Sequence, residues 1–230
     1  MIKFENTEVF NFEGALRGMR NPLNSWDKSD SKTLYYEIDR EETRDGDIYA
    51  TYYRDGFKIG ENDLDLARRL IKAGSDHRKF LRQIFVSVDI TAPLYWWKEF
   101  DTYKVGTVAN SCSTMHKIQD KEFTLEDFST EHLDEFSKHH LSLLLIYLNS
   151  MLESFIESKN KHFWYQMIQL LPSSYNQKRT VALNYEVLRN IRNSDRRNHK
   201  LDEWRVGFMD WIDSLPYAEE LLIGEIHNPK

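Results

Sequence analysis

The residues best able to do chemistry fall in two short stretches. Asn110-Ser111-Cys112-Ser113-Thr114 sets the chain's one cysteine among hydrogen-bonding side chains. Such a run either caps a turn between two elements or lines a pocket for a polar ligand such as a nucleotide. Cys112 has three readings of its own: a small buried and inert thiol, one wall of a pocket, or a nucleophile. The last needs a lowered thiol pKa, which Lys104 or His116 supplies only if folded close. The second stretch carries Arg189, Arg192 and Arg196, with His199 a turn further on. If the chain is helical from about Val181, these cations form one stripe. Like charges so spaced repel by roughly a few tenths of a kcal/mol. The stripe is therefore a solvated face paired with acids, or a seat for phosphate, whose oxygens an arginine fork grips with two parallel bonds. A helix break near Ser194-Asp195 would leave Arg196 and His199 beside a helix N-terminus, which also favours an anion.

The composition bounds what these residues serve. A length of 230 residues suits a single domain over 1–230. Hydrophobic residues at 40% and charged residues at 30% describe a soluble globular protein. A net charge of −6 argues against a general nucleic-acid coat. One cysteine excludes an internal disulfide and gives no reason to expect an oxidising compartment. The opening MIKFENTEVF lacks a signal-peptide apolar core. The longest apolar run, LSLLLIYL, falls far short of the roughly 20 residues that span a bilayer. A soluble, cytoplasmic protein is expected. The 13 Phe, 12 Tyr and 6 Trp have to pack somewhere, in a core or an interface, or as ring surfaces that stack a planar ligand.

Periodicity places the elements. Tyrosine-rich KTLYYEID and GDIYATYYRDGFKIG flank a polar turn with Asp45-Gly46, so a β-hairpin is predicted over 33–39 and 47–58. ENDLDLARRLIKAG reads as a helix capped by Asn62 or Asp63, apolar through Leu64, Leu66, Ala67, Leu70 and Ile71, and ended at Gly74. RQIFVSVDI alternates as a strand, with Ile84, Val86, Val88 and Ile90 on one face. Pro93 opens the next helix, which runs to about Lys104. One or two helices cover LEDF through ESK, with Leu141, Leu144, Leu145, Leu148, Met151, Leu152 and Phe155 inward. Tandem His139-His140 point about 100° apart on such a helix and do not readily share a metal. A helix in KHFWYQMIQLL ends at Leu171-Pro172, and two more follow from TVALNYEV, broken near Ser194-Asp195. Trp204, Phe208 and Trp211 form a packing stripe on the last.

Three blocks together resemble the flavin-dependent thymidylate synthases: APLYWWKEFDTYKVGTVANSCSTMHKI, LLPSSYNQKRTVALNYEVLRNI and RRNHKLDEW. Ala92-Pro93, Leu171-Pro172, Asn184, Asn190 and His199 fall at that family's spacing. ALRGMRNPLNSW is similar, more faintly, to its early helix and serine loop. The likeness spans roughly residues 10–26 and 60–205, and the hairpin at 33–58 reads as an insertion. The family's signature R-H-R-x-x-S-x(4)-S-x-R is altered here. Its Arg-His-Arg falls on Thr102, Tyr103 and Lys104, its serines on Thr107 and Cys112, its last arginine on Thr114. A later nucleotide-binding arginine falls on Asp195, with Arg196 one residue away.

The resemblance implies an α/β fold of α+β type, a central mostly antiparallel sheet flanked by helices, assembled as a homotetramer. It implies FAD as cofactor and transfer of a one-carbon unit from methylenetetrahydrofolate to dUMP, with NADPH as reductant. His77, Lys104, Asn110, Asn184, Asn190 and His199 would then touch the flavin nucleotide. Lys98, Glu99, Ser111, Cys112, Ser113 and Arg196 would surround the pyrimidine nucleotide. Glu99 stands where the family has a glutamine; it would repel a phosphate and accept a hydrogen bond from an amino group on another base. Two further readings stay open: a relative that modifies a different pyrimidine nucleotide, and a non-catalytic binding or assembly module on the same fold.

Overall fold

The computed structural model describes residues 2–42 and 48–223. The chain begins with strand β1 (Lys3–Phe10), helix α1 (Phe12–Arg20), strands β2 (Lys32–Glu42) and β3 (Ile48–Lys58), and helix α2 (Glu61–Lys72). Strand β4 (Phe85–Pro93) feeds directly into α3 (Leu94–Phe100), followed by β5 (Val108–Ser111) and the one-turn α4 (Thr114–Lys117). The helical pair α5 (Glu135–Ser158) and α6 (Lys161–Leu170) precedes β6 (Asn176–Asn184) and α7 (Tyr185–Arg192). Two short helices, α8 (Met209–Asp213) and α9 (Ala218–Leu221), come last.

Four strands form one sheet in the order β1-β4-β6-β5, every neighbouring pair antiparallel. With its flanking helices this is the expected α+β architecture. The hairpin β2–β3 makes a two-stranded sheet of its own, Thr33 opposite Phe57. Its Asp45-Gly46 turn lies outside the described residues. Along β4, Val86, Val88 and Ile90 are buried while Ser87 and Asp89 take the other face, as alternation requires. Pro93 turns β4 into α3, with φ −69° and an extended ψ of 153°. The N–H groups of Leu94 and Tyr95 then donate to the carbonyls of Tyr175 and Ser173, both at 3.0 Å, so the start of α3 is already satisfied.

Three strands differ from expectation. The helix predicted from about Val181 starts at Tyr185, because residues 176–184 pair with β4 over its whole length. Val181 and Leu183 are buried and Thr180 and Ala182 exposed, a strand alternation too short to outweigh the helical pattern that follows it. β1 is mostly polar, and all four residues of β5 are exposed at a sheet edge, so neither announces itself. Since α7 ends at Arg192, the cation stripe is not one helix face. Arg189 donates to the carbonyls of Leu221 and Leu222 at 3.1 and 3.2 Å. Arg192 forks onto Asp213 at 2.6 and 2.8 Å. Both are structural.

The predicted cap of α2 is also corrected. Gly60 holds the cap position, and the Asp30 carboxylate accepts from the N–H of Asn62 (3.0 Å) and Asp63 (3.2 Å). The Asp63 side chain turns inward to Arg20 Nε at 2.5 Å and accepts from the hydroxyls of Ser29 and Ser31. Both partners are buried. Part of the ring content is core: Trp96, Trp97, Trp204 and Phe208 have essentially no exposure, while others such as Trp26 and Tyr35 are exposed. A second core joins α5 to α6 through Leu141, Leu145, Leu148, Leu152 and Met167. Among the described residues no helix is long and apolar enough to cross a membrane.

Burial by itself would raise the Asp63 pKa; hydrogen bonds from Ser31, Ser29 and Arg20, with the Arg20 charge, outweigh it and hold the carboxyl below the ordinary aspartate value. A depressed folded-state pKa adds stability above the unfolded-state value that is lost as pH falls through the folded-state one. Asp63→Ala strands the buried Arg20 guanidinium, so urea unfolding at neutral pH is expected to show a loss of about 3–5 kcal/mol. The gap between variant and parent should narrow below about pH 4, where aspartates begin to protonate.

Candidate functional site

Around Cys112 the bland reading is partly correct. Asn110 and Ser111 end β5, and the Ser113 hydroxyl caps α4 by accepting from the N–H of His116 at 3.0 Å. Cys112 itself is exposed, which corrects the buried-thiol reading. Among the described residues no hydrogen bond joins its Sγ to Lys104 or His116, so the nucleophile reading gains no support here. The turn is hooked to β6 instead. Cys112 N–H donates to the Lys178 carbonyl at 2.9 Å. Gln177 Nε2 donates to the Cys112 carbonyl at 2.9 Å and to Thr114 Oγ1 at 3.1 Å.

The same hook brings in a cation that the sequence reading missed. Arg179 Nε donates to Gln177 Oε1 at 3.0 Å and Nη1 to Asp101 at 2.8 Å. Its guanidinium carbon lies 4.1 Å from the centre of the Trp97 ring, and Trp97 Nε1 donates to the Gln177 carbonyl at 2.9 Å. Ring and ion pair fix the cation in place. The result is an open groove of about 460 Å³ whose polar wall is Ser111, Cys112, Ser113, Thr114, Gln177 and Arg179. Leu94, Ile168 and Leu171 form the apolar side. Hydroxyls and an arginine beside an apolar wall suit a ligand with an anionic end and a flat, less polar end. The signal for Arg179 was the run Gln177-Lys178-Arg179 before Val181 and Leu183; reading it as strand rather than helix lead-in assigns Lys178 and Arg179 to opposite faces.

A second cluster forms at the other predicted stretch. Arg196 Nη1 donates to Glu99 at 2.8 Å and Nε to the Tyr103 hydroxyl at 2.9 Å. Its guanidinium carbon is 5.0 Å from the Trp204 ring centre. The hydrogen bond from Arg196, then its charge, hold the Glu99 carboxyl below the ordinary glutamate value. His199 Nδ1 accepts from the N–H of Leu201 at 3.1 Å, so in the neutral ring the proton is on Nε2. Its ring centre is 6.1 Å from that of Trp204. Glu99, Arg196 and His199 are thus neighbours, but none of them lines the Cys112 groove, and neither does Lys98. Within one chain the two predicted halves of the nucleotide site are separate.

The predicted cofactor residues fall into two groups. Gly106 has φ +75°, and a Cβ there would lie 2.9 Å from Asn184 Nδ2. The loop after Lys104 therefore rests directly on Asn184, whose Oδ1 caps α7 by accepting from Val187 N–H at 3.1 Å. Beside it the Thr107 hydroxyl is buried with no hydrogen-bond partner among the described residues. Asn110 pairs opposite Thr180 on the exposed edge of the sheet. Asn190 is engaged: it accepts from Arg78 Nη2 at 3.1 Å, while Arg78 Nε meets the buried Glu186 at 3.1 Å. His77, exposed, precedes that arginine. Among the described residues Lys98 and Lys104 make no ion pair.

Gly106→Ala places a Cβ in a left-handed conformation and against Asn184. A loss of about 1–3 kcal/mol is expected in urea unfolding, together with faster amide exchange in residues 104–107. An unchanged midpoint would show that the loop does not rest on Asn184.

No family model matches the chain, and no curated protein matches it in sequence. Its fold does have counterparts among solved structures. Thymidylate synthase X (ThyX) from Helicobacter pylori, solved with FAD and dUMP, superposes with a TM-score of 0.63 over 96% of this chain and 97% of that one, at 14% identity. A second structure of the flavin-dependent thymidylate synthase ThyX from the same organism, also complexed with FAD and dUMP, gives 0.62 over the same shares at 15% identity. At such identities the likeness is one of fold: nearly the whole chain is built like ThyX.

Proposed function

We propose that this chain is a flavin-dependent enzyme of pyrimidine nucleotide metabolism, a single-domain relative of the thymidylate synthases that moves a one-carbon unit onto dUMP. The observation that carries the reading is the groove that Ser111, Cys112 and Ser113 line together with Arg179 on a fold of the ThyX kind. A phosphate near Arg179 gains a charge-assisted bond from a cation already oriented by Trp97 and Asp101. Ser111 and Ser113 supply short polar contacts, and Leu94, Ile168 and Leu171 exclude water from the flat side of a base. Cys112 lines the wall and has no proton-transfer role.

FAD fits the residues beside the Gly106 loop. The buried Thr107 hydroxyl has no partner among the described residues, and it lies beside Gly106, whose backbone packs directly on Asn184. Lys104, Asn110 and Asn184 would hold the flavin nucleotide there, and on this reading His77, Asn190 and His199 contact it as well. Bound flavin supplies hydride transfer, with NADPH as reductant and methylenetetrahydrofolate as carbon donor. The protein contributes position and electrostatics. A homotetramer in the cytoplasm completes the reading.

One observation favours a second substrate. Arg196, the cation nearest the family's phosphate position, is already neutralised by Glu99. With that cation already paired, a nucleotide other than dUMP, such as dCMP, is the alternative.

Purified protein titrated with FAD should show the bound-flavin absorbance spectrum at micromolar concentration. Thermal unfolding should shift upward with dUMP or dCMP; ligand at 100 times its Kd adds about 2.7 kcal/mol. Arg179→Ala should abolish the nucleotide shift, and Arg179→Lys should keep part of it as a point charge. Absence of flavin binding together with no shift from any pyrimidine nucleotide would leave only the non-catalytic module.

A further inference from the structure

Gln177 does more than line the groove. Its side chain makes three hydrogen bonds at once. Nε2 donates to the Cys112 carbonyl at 2.9 Å and to Thr114 Oγ1 at 3.1 Å, while Oε1 accepts from Arg179 Nε at 3.0 Å. The amide fits in one orientation, because the Cys112 carbonyl only accepts and the Arg179 guanidinium only donates. A glutamate in this place lacks the donor, a lysine or arginine lacks the acceptor, and an asparagine is one methylene short. The backbone beneath the side chain is fixed as well. Gln177 pairs with Ala92 of β4, and its carbonyl accepts from Trp97 Nε1 at 2.9 Å.

Both halves of the groove depend on this amide. The β5–β6 ladder ends where Ser111 stands opposite Arg179, and the Cys112 N–H makes one more bond, to the Lys178 carbonyl at 2.9 Å. Beyond that N–H, the hydrogen bonds that tie the turn to β6 among the described residues all come from Gln177. On the other side Gln177 takes Nε of Arg179 and Asp101 takes Nη1 at 2.8 Å. Nη2 is left as the guanidinium nitrogen with no hydrogen-bond partner among the described residues. Arg179 is the one charged side chain among the residues that line the groove, and Asp101 partly offsets it. A cation so offset attracts an anion mainly at contact range, so its placement decides whether a phosphate is felt.

We propose that Gln177 is the positioning residue of this groove. It holds the 112–114 turn and the Arg179 cation at one fixed separation, so that the site reads the phosphate of a nucleoside monophosphate and not the base alone. Gln177 acts through its two neighbours and has no contact with reacting atoms. The inference rests on the nucleotide reading above.

Calorimetric titration of the full chain with dUMP against deoxyuridine, and dCMP against deoxycytidine, measures what the phosphate contributes. Gln177→Met keeps the length of the side chain and removes all three bonds. It should cut the advantage of nucleotide over nucleoside about tenfold, with nucleoside affinity little changed. Gln177→Glu keeps an acceptor for Arg179 but sets a second carboxylate on the cation, so it should lose more of that advantage than Gln177→Met. A merely structural role would weaken nucleotide and nucleoside alike and would rank the glutamate variant above the methionine one; either result overturns the proposal. Hydrogen exchange without ligand tests the turn separately. Amides of residues 112–114 should exchange faster in Gln177→Met while residues 176–184 keep their protection. Unchanged exchange in the turn would overturn the proposal and leave the nucleotide reading standing. A parent protein that binds neither nucleotide would overturn the reading and the phosphate role together.

Discussion

The packing of Trp204 against Trp96 decides where the candidate residues lie. The two rings stack with centres 4.9 Å apart and planes 26° apart, in a cluster with Phe100 and Phe208. Trp96 belongs to α3, and Trp204 follows the bend that carries Arg196 and His199. The stack therefore holds that bend against one side of α3, where Arg196 finds Glu99 and Tyr103. Trp97, the next residue of α3, faces Arg179 and β6. One short helix thus separates two polar clusters. The indole N–H groups of Trp96 and Trp204 are buried without partners among the described residues. Leaving such donors unmet costs roughly 1–3 kcal/mol each. The ring packing outweighs that cost.

Much of this was legible in the sequence, for local reasons. β4 alternates in the simplest way, Pro93 and Gly74 punctuate where backbone chemistry dictates, and α5 shows a clear inner stripe. What was not legible depends on distant pairing. β6 exists because residues 176–184 meet β4, and the alternation within Asn176–Asn184 is too short to announce it. Misreading it as the approach to a helix hid Arg179. The Glu99–Arg196 pair joins residues far apart in sequence, so Arg196 looked free when it is not. The Asp30 cap of α2 was hidden in the same way, which made Asp63 look like a surface cap rather than a buried partner of Arg20.

The altered signature acquires a physical meaning from this geometry. Thr114 falls where the pattern of the family the sequence resembles has an arginine, and the groove has a cation of its own, Arg179 on the neighbouring strand. Thr114 Oγ1 accepts from Gln177, whose own oxygen accepts from Arg179. On the proposed reading the charge has moved from a loop to a strand, where Trp97 and Asp101 hold it rigid. A rigid cation favours one anion position over many.

The single cysteine offers the most direct test of the groove. Cys112 is exposed and lines the groove together with Arg179, so a thiol reagent reports occupancy with one label per chain. Labelling by Ellman's reagent should slow several-fold when dUMP or dCMP saturates the protein, and Arg179→Ala should restore the free rate. A nucleotide that binds, shown by its thermal shift, while Cys112 reacts at an unchanged rate would mean that the ligand lies elsewhere.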